Sequence, residues 1–433
     1  MSDGKPLRVG IAGLGTVGGG TLRLLRANAD LIGARAGRPV AVTAVSARDR
    51  DKRRDGLDLD GLRWHADPLA LAEDPEVDLV CELVGGSEGH AAELVRAALR
   101  RGRHVVTANK ALLALHGAEL AGLAEGSGAA LAFEAAVAGG IPVVKALREG
   151  LAGNRVGRVY GILNGTCNYI LTQMRETGRD FAAVLAEAQS LGYAEADPSF
   201  DVDGIDAAHK LAILASLAFG GPPRFDAVHV EGIRHVSALD IAFAQELGYR
   251  IKLLGVARMT GQGLEQRVHA CMVPADAPIA GVEGVLNGVV VEGDAVGTVV
   301  LEGRGAGAGP TASAVVADIV DVARGLRLPT FGVPSARLAD HAIAPMSAHE
   351  GRYYIRLMVV DRPGVMADIS AVLRDHEVSI ESLIQRGRNP GQAVPIVLTS
   401  HDTTEAAMRG ALERIGGLAN VAEPPRMIRV ERP

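Results

Sequence analysis

The chain has few aromatic residues and few cysteines, and both shortages limit what it can be. Phe, Trp and Tyr make up 3% of its 433 residues, whereas glycine alone contributes 54. The three cysteines, Cys81, Cys167 and Cys271, lie far apart and form no CxxC pair. This usage argues against a disulfide framework or a zinc site and is typical of the reducing cytoplasm. A composition rich in Gly, Ala and Val favours tightly packed α/β layers.

Excess positive charge and membrane-directed segments are also missing. The formal net charge of −6 argues against a nucleic-acid partner. The N-terminus has no basic segment followed by an apolar core, so no signal peptide is predicted. No uninterrupted apolar run is long enough to span a membrane. We therefore expect a cytoplasmic protein, and its length predicts two or three domains.

A glycine-rich turn stands near the start of the chain, between a predicted strand and a predicted helix. Gly13, Gly15 and Gly18 form the pattern GxGxxG, and Thr16 and Val17 lie in the first helical turn. The pattern alone is weak in so glycine-rich a chain, but in this context it predicts a dinucleotide site. The helix N-terminus would offer its free N–H groups to the phosphates.

The end of the second predicted strand, at residues 40–45, bears on the choice of cofactor. Sites for NAD usually place an acidic residue there, whereas this chain has Ser46 followed by Arg48 in a basic loop. A serine with an arginine can hold a 2′-phosphate, which favours NADP(H) over NAD(H). The alternative is a solvated loop, whose charge Asp49 and Asp51 dilute.

Lys110 follows a predicted strand, HVVT, at its carboxyl end, where open α/β sheets bind ligands. An ordinary exposed lysine at the start of the next helix explains its position equally well. Further on, Glu134 opens an irregular glycine-bearing crossing that ends at Pro142. A carboxylate beside exposed carbonyls can hold a hard cation, although a simple interdomain hinge is the plainer interpretation.

The most highly charged stretch runs from Gly192 to Lys210. Its carboxylates are Glu195, Asp197, Asp201, Asp203 and Asp206. Spacing predicts a helix from about residue 204, with Asp203 as N-cap and with Asp206 and Lys210 on one face. A surface ion pair is the plainer interpretation. However, the helix after Lys210 is almost wholly apolar, and a lysine entering a buried helix beside carboxylates favours a functional site.

Hydrophobic patterns predict an α/β protein of three parts. Residues 1–134 read as a Rossmann domain with a doubly wound sheet, completed by a helix at residues 308–330. Residues 135–307 read as a mixed α+β domain, and residues 338–352 as a linker. Residues 353–433 follow the βαββαβ order of a ferredoxin-like sandwich.

Six motifs together resemble homoserine dehydrogenase of the long bacterial form, with a C-terminal ACT domain. They are GLGTVG (13–18), TANK (107–110), EAAVAGGIP (134–142), NGTCNYI (164–170), GYAEADPSFDVDGIDAAHK (192–210) and DRPGV (361–365). The resemblance covers essentially the whole chain, and no motif position carries a substitution that would put the activity in doubt.

The resemblance implies reversible oxidation of L-homoserine to L-aspartate 4-semialdehyde with a nicotinamide cofactor. Lys210 matches the general acid/base, and Lys110 matches a second lysine at the reacting centre and cofactor. Glu195 and Asp201 match substrate-binding carboxylates, and Asp206 belongs to the same constellation. The middle domain would then bind substrate and mediate oligomerisation.

The resemblance also implies a structural sodium site and a regulatory ligand. Glu134 with the carbonyls of Val137, Gly139 and Ile141 matches the sodium site. The predicted cofactor-binding residues are Gly13, Gly15, Thr16, Val17, Gly18, Arg48, Lys110 and Gly309. The ACT domain implies feedback control by threonine and a homo-oligomer.

Two other functions remain open at this point. One is a different Rossmann oxidoreductase acting on an amino-acid semialdehyde. The other is a non-catalytic sensor, in which a decayed Rossmann site and the C-terminal sandwich bind small molecules. The intact lysines and the complete glycine motif argue against the sensor.

Overall fold

The computed structural model describes residues 4–54, 56–386, 389 and 391–432. The strands are β1 (Leu7–Ala12), β2 (Val40–Ser46), β3 (Arg63–His65), β4 (Leu79–Glu82), β5 (His104–Thr107), β6 (Leu131–Ala132), β7 (Val156–Ile162), β8 (His229–Val230), β9 (Tyr249–Thr260), β10 (Gly263–Pro274), β11 (Leu286–Gly293), β12 (Gly297–Arg304), β13 (Glu350–Val360), β14 (Ile380–Gln385), β15 (Ala393–Ser400), β16 (Thr403–Thr404) and β17 (Arg426–Val430).

The helices are α1 (Thr16–Ala27), α2 (Ala29–Ala36), α3 (Ala70–Glu73), α4 (His90–Arg100), α5 (Lys110–Ser127), α6 (Val143–Lys145), α7 (Gly165–Thr177), α8 (Phe181–Ser190), α9 (Ser199–Val202), α10 (Ile205–Phe219), α11 (Ala238–Glu246), α12 (Ala308–Ala323), α13 (Val365–Asp375) and α14 (Glu405–Gly416). Among the described residues, none of these helices is long and apolar enough to cross a bilayer.

The first sheet is a six-stranded parallel sheet in the order β3-β2-β1-β4-β5-β6. This order confirms the predicted Rossmann fold, and it reverses direction between β1 and β4. Ligands of such sheets bind at the carboxyl ends of the strands beside that point. β3, a short strand at the sheet edge, was not predicted from the sequence.

The chain returns to this first unit through α12. Val315 and Ile319 of α12 pack into the same apolar core as Ile11 and Leu22. The approach of α12 to α1 is close, because a Cβ at Gly20 would lie 2.6 Å from the carbonyl oxygen of Ala308. The segment just before α12 is therefore held against the nucleotide-binding end of the first sheet.

The second sheet has eleven strands and runs through the middle and C-terminal units. Its main order is β12-β11-β7-β9-β10-β17-β13-β15-β14. The last four strands, with α13 and α14, confirm the ferredoxin-like ACT fold. A parallel pairing of β10 with β17, in which Cys271 faces Arg429, joins the two units edge to edge. The sequence did not predict that the two units share one sheet.

The segment predicted as a linker, residues 338–352, lies along this joined sheet. The Leu264 N–H donates to the carbonyl of Ala342 at 2.8 Å, and His349 is buried beside Glu265. β13 begins at Glu350, inside the predicted segment. These contacts attach residues 338–352, which lead into the C-terminal unit, to β10.

Candidate active site

A cleft of about 570 Å³ opens between the carboxyl end of the first sheet and the middle unit. Its lining residues are Val17, Ala108, Lys110, Ala135, Ala136, Ala138, Gly139, Asn164, Gly165, Thr166, Gly192, Tyr193, Asp201, Asp206, Lys210, Val285, Asn287, Arg304, Gly305, Ala306, Gly307 and Thr311. The first unit, the segment before α12 and the middle unit thus all contribute to one cavity.

One carboxylate at the floor of the cleft holds two lysines. Asp206 Oδ1 lies 2.9 Å from Lys110 Nζ, and Asp206 Oδ2 accepts from Lys210 Nζ at 2.7 Å. Lys210 Nζ also donates to the carbonyl of Leu163 at 2.7 Å. Lys210 is 9% exposed and Asp206 is 3% exposed, so the group is shielded from water except through the cleft.

Helix α10 brings Asp206 and Lys210 together because residues four apart share a helix face. The predicted pairing is therefore present, but the predicted cap is wrong. Gly204, in a left-handed conformation with φ +88°, occupies the N-cap position and α10 has no side-chain cap. Asp203 instead pairs with Arg234 in an exposed contact.

The surroundings drive the pKa values of the two lysines apart. Burial lowers the pKa of Lys210 and Lys110 adds to this, so the net shift is downward despite Asp206. Burial also lowers the pKa of Lys110, but Asp206, Asp201 and Glu195 outweigh it and raise the pKa overall. Desolvation of Asp206 is overcome by the two lysines, which hold its pKa well below the usual range. Lys210 is thus the lysine more ready to release a proton.

Asn164 connects the lysine-binding carboxylate to Asp201. Its Nδ2 donates to Asp201 Oδ1 and to Asp206 Oδ2, both at 2.8 Å. Its Oδ1 accepts from the Cys167 N–H at 2.8 Å and so caps α7. Burial raises the pKa of Asp201 despite the Asn164 bond. Asn164 lies in the NGTCNYI motif, but no role for it was predicted from the sequence.

Lys110 is oriented by a buried network at the ends of β4 and β5. Glu82 accepts from the Gly85 N–H at 2.9 Å and from Thr107 Oγ1 at 2.7 Å. Thr107 Oγ1 accepts from the Asn109 N–H, and Asn109 caps α5, the helix that Lys110 begins. Sequence reasoning missed Glu82, whose only signal was an acidic residue at the end of an apolar strand.

The glycine turn after β1 fits an approaching pyrophosphate. Gly13 has φ +90°, which a side chain would strain, and a Cβ at Gly18 would lie 1.8 Å from the Gly13 carbonyl oxygen. Gly15 caps α1 without a side-chain bond, and a Cβ there would meet only open space. Thr16 and Val17 form the first helical turn. The N–H groups of this turn therefore face an open anion site.

Ten predicted site residues do not line the cleft, namely Gly13, Gly15, Thr16, Gly18, Arg48, Glu134, Val137, Ile141, Glu195 and Gly309. Glu195 is exposed, although it acts on Lys110 through its charge. Arg48 is exposed in the loop that follows β2, and Gly309 is exposed in the first turn of α12. Near Gly309, the residues that line the cleft are Arg304, Gly305, Ala306, Gly307 and Thr311.

Glu134 lies at a buried crossing that suits a cation chemically. Its carboxylate accepts from the Val144 and Lys145 N–H groups, each at 2.9 Å. Burial and nearby Asp318 raise the pKa of Glu134 to about 7. The Ile141 carbonyl accepts from the Val143 N–H. The ammonium of Lys145 pairs with Asp318 and Asp321, so these two carboxylates and Glu134 outnumber the ammonium and leave negative charge that a cation can offset.

The predicted cation site would also draw on backbone carbonyls. Ala138 and Gly139 both have positive φ, at +54° and +48°. Val137 precedes them in extended conformation. The backbone at the predicted cation site is therefore irregular, as the sequence pattern predicted.

Comparisons with known proteins match every part of this architecture. Three family models match, described as "Homoserine dehydrogenase, NAD binding domain" at residues 13–134, "Homoserine dehydrogenase" at 142–320 and "ACT domain" at 353–420. A homoserine dehydrogenase of Pseudomonas aeruginosa is 49% identical over 99% of both chains. That of Neisseria gonorrhoeae is 47% identical, again over 99% of both chains.

The chain belongs to the homoserine dehydrogenase family. A homoserine dehydrogenase structure from Thiobacillus denitrificans superposes with a TM-score of 0.93 at 48% identity, covering 99% of each chain. A hyperthermophilic archaeal homoserine dehydrogenase in complex with NADPH has a TM-score of 0.64 at 30% identity. It covers 74% of this chain and 99% of that one. The chain is thus an NAD(P)-dependent oxidoreductase with homoserine dehydrogenase activity, which serves amino-acid biosynthesis.

Proposed function

We propose that Lys210 is the general acid/base of this homoserine dehydrogenase and that Lys110 is a permanent cation beside it. The observation that carries the proposal is the Lys110–Asp206–Lys210 arrangement, with Asp206 2.9 Å and 2.7 Å from the two ammonium groups. Their opposite pKa shifts support different roles, because a proton-transfer group works best with a pKa near the working pH.

The proposed chemistry follows from these charges. The bound nicotinamide supplies or accepts the hydride. In the reducing direction, oxygen at C4 of the semialdehyde gains negative charge, which the ammonium groups stabilise. Lys210 then gives that oxygen its proton and forms the hydroxyl of L-homoserine. In the oxidising direction neutral Lys210 removes the same proton. Glu195 and Asp201 would bind the substrate ammonium, with Asp206 as the anchor of both lysines.

We also propose a preference for NADP(H) over NAD(H). The residues expected to hold the cofactor are Gly13, Gly15, Thr16, Val17, Gly18, Arg48, Lys110 and Gly309. Arg48 follows β2 closely, where a 2′-phosphate would come, and its exposure leaves it available for that contact. The open first turn of α1 supports pyrophosphate binding.

A sodium ion and a regulatory amino acid complete the proposal. Glu134 with the carbonyls of Val137, Gly139 and Ile141 would hold the ion. Threonine would bind the C-terminal unit, where a cavity of about 110 Å³ includes Gly364 of the turn before α13. Glycine there leaves room for backbone to approach a ligand.

We further propose a cytoplasmic homo-oligomer. β12 ends the described eleven-stranded sheet, and Val300 on it is 40% exposed. Exposed apolar edge strands favour pairing with another chain. The proposed domain roles are those expected from the sequence: residues 1–134 with 308–330 for the cofactor, 135–307 for substrate and assembly, and 353–433 for regulation.

An assay of the purified full-length chain tests the catalytic and cofactor proposals together. Reduced nicotinamide is followed with L-homoserine or L-aspartate 4-semialdehyde, using NADP(H) and NAD(H) in parallel. We expect turnover in both directions and a higher kcat/KM with NADP(H).

Arg48→Ala should lower the NADP(H) preference about 10-fold, since a charge-assisted bond is lost. Arg35→Ala, an exposed arginine on α2, is the matched control. An unchanged preference in Arg48→Ala would remove that residue from the site.

A further inference from the structure

Asn287 has an unusual combination of burial and missing hydrogen bonds. It lies on β11 at the wall of the catalytic cleft and is 2% exposed. Its Nδ2 is buried and has no hydrogen-bond partner among the described residues. Buried amide groups are nearly always paired, because an unpaired donor has lost its water without replacement. This donor therefore has unused hydrogen-bonding capacity next to the cleft.

The surroundings of Asn287 keep its carboxamide next to the cleft without satisfying it. A Cβ at Gly305 would lie 2.2 Å from Asn287 Cγ, and a Cβ at Gly165 would lie 3.4 Å from Asn287 Oδ1. Both neighbours also line the cleft, and neither has a side chain to compete for the amide. Rotation about the last side-chain bond exchanges Oδ1 and Nδ2, so the N–H groups can turn toward an incoming acceptor.

The charges around the cleft indicate which group of a ligand would accept a hydrogen bond from Asn287. An amino-acid substrate carries an ammonium and a carboxylate on one carbon. Asp201 and Asp206 attract the ammonium but repel the carboxylate. The ammonium groups of Lys110 and Lys210 are already bound to Asp206. Neutral donors remain beside Asn287 at the start of α7, where the Gly165 and Thr166 N–H groups have no intrahelical acceptor.

We propose that Asn287 is a specificity-determining residue whose carboxamide N–H binds the α-carboxylate of the amino-acid substrate. This inference rests on the proposed function and deepens it by assigning the carboxylate end of the substrate. Asn287 would thereby distinguish an amino-acid alcohol from a simple amino alcohol of the same length. The acidic residues alone cannot make that distinction, because both compounds carry the ammonium.

The test compares two enzyme variants on substrates that differ only in the carboxylate. Asn287→Leu keeps a similar shape without polar atoms, and Asn287→Ala shortens the side chain. Oxidation of L-homoserine is compared with that of 3-aminopropan-1-ol, which lacks the carboxylate. We expect both variants to lose about 10- to 100-fold in kcat/KM for L-homoserine, as for a hydrogen bond to a charged group. The rate with 3-aminopropan-1-ol and the KM for NADP⁺ should not change.

If wild type oxidises 3-aminopropan-1-ol too slowly to measure, its inhibition constant against L-homoserine replaces the rate. Unchanged L-homoserine kinetics would overturn the inference, as would an equal loss for both substrates. A rise in the KM for NADP⁺ alone would assign the amide to the cofactor and overturn it as well. Wild type that does not oxidise L-homoserine at all would instead sink the proposed function, and this inference with it.

Asn420 provides a matched control for folding. It is also a buried asparagine with an unpaired amide atom, Oδ1, but it lies in the C-terminal unit. Asn420→Ala should leave discrimination between the two alcohols unchanged. NADPH binding, followed by fluorescence, reports whether each Asn287 variant keeps a folded nucleotide site. A variant that binds NADPH normally but loses L-homoserine selectively supports the inference.

Discussion

Two clusters of buried charge in this molecule are built from different residues. At the cleft, Asp206 holds the ammonium groups of Lys110 and Lys210. At the junction of β10 with β17, Arg267 and Arg429 are both 1% exposed. Their carboxylate partners are Glu231, Glu265, Glu405 and Glu431. The cleft thus uses lysine with aspartate, whereas the junction uses arginine with glutamate.

This difference in residue type suits the cleft cluster to proton transfer and the junction cluster to holding the two units together. Burial lowers the pKa of Arg429, but its bonds to Glu231 and Glu405 outweigh this effect. The pKa of Arg429 therefore lies above the ordinary value for arginine. Arginine therefore stays charged at every physiological pH, and its planar fork engages two carboxylates at once. Lysine has a single nitrogen whose pKa burial can lower, as at Lys210. Only the cleft cluster can give up a proton.

The largest effect should come from removing the lysine that transfers the proton. Lys210→Met should lower kcat by roughly 10²- to 10⁴-fold, the usual contribution of general acid–base catalysis. NADPH binding should be largely retained, because Lys210 lies on the substrate side of the cleft. Steady-state rates and NADPH fluorescence measure the two effects.

Lys252 is the matched control for that substitution. Like Lys210 it is buried, with 2% of its surface exposed, and burial lowers its pKa to about 8. Its ammonium, however, bonds to Asn168 and to the Val282 carbonyl, away from the cleft. Lys252→Met should therefore retain most of the kcat of the folded protein. Comparable losses in both variants would mean that burial of a lysine, and not its place in the cleft, explains the result.

The junction should respond in stability and not in chemistry. Arg429→Met leaves buried Glu405 and half-buried Glu231 without the arginine that they share, which costs about 3–5 kcal/mol in unfolding free energy. Arg374→Met removes an exposed pair with Asp375 and should cost about 0–1 kcal/mol. Denaturant unfolding measures both, and kcat without threonine should remain near wild type. A kcat that falls as far as in Lys210→Met would erase the distinction between the clusters.

The cleft cluster was partly predictable from sequence because one of its contacts is local. Asp206 and Lys210 are four residues apart in a predicted helix, so their pairing follows from helix geometry. Lys110 follows a strand that is distant in the chain. Its place beside Asp206 and Lys210 was predicted because open α/β sheets bind ligands at the carboxyl ends of their strands, and because of the family resemblance. Asn164 and Asn287 gave no comparable signal, because their roles depend on which distant backbone groups surround them.

The junction was not predictable from sequence. The order of strands in the C-terminal unit follows from local patterns, but the pairing of β17 with β10 joins residues far apart in the chain. Buried Arg267 and Arg429 alternate with apolar residues in strands, and this pattern usually indicates a solvent-facing side. The predicted cap at Asp203 failed for a similar reason, because Arg234, 31 positions away, binds its carboxylate.

A pH profile should distinguish the clusters more finely. Asp206 opposes the downward shift in the pKa of Lys210, so Asp206→Asn should lower that pKa further. Neutral Lys210 is the base in the oxidising direction, and the rising limb of kcat against pH should therefore move to lower pH. The plateau should fall about 10- to 100-fold as the charge-assisted bonds are lost. Asp203→Asn, at the exposed Arg234 pair, should leave the limb unmoved.

The smallest effect should come from a third cluster of buried charge, which combines a lysine with both aspartate and glutamate. Glu134 and Asp318 are both buried, and the ammonium of Lys145 pairs with Asp318 and also with Asp321. Unlike the junction, this cluster has more carboxylates than cations, which is why we propose sodium there. At ten times its dissociation constant, a bound ion adds about 1.4 kcal/mol of stability. For a chain of this length that corresponds to a rise of about 2 °C in Tm.

Thermal unfolding in sodium chloride against choline chloride at equal ionic strength measures this effect. The two salts screen charge alike, so a difference in Tm reports specific binding of the smaller cation. Glu134→Gln keeps the acceptor oxygen but removes the charge, and it should abolish the difference. Glu149→Gln, in the turn that follows α6, should preserve it. Equal Tm values in the two salts for wild type would mean that Lys145 alone balances the cluster, as the arginines do at the junction.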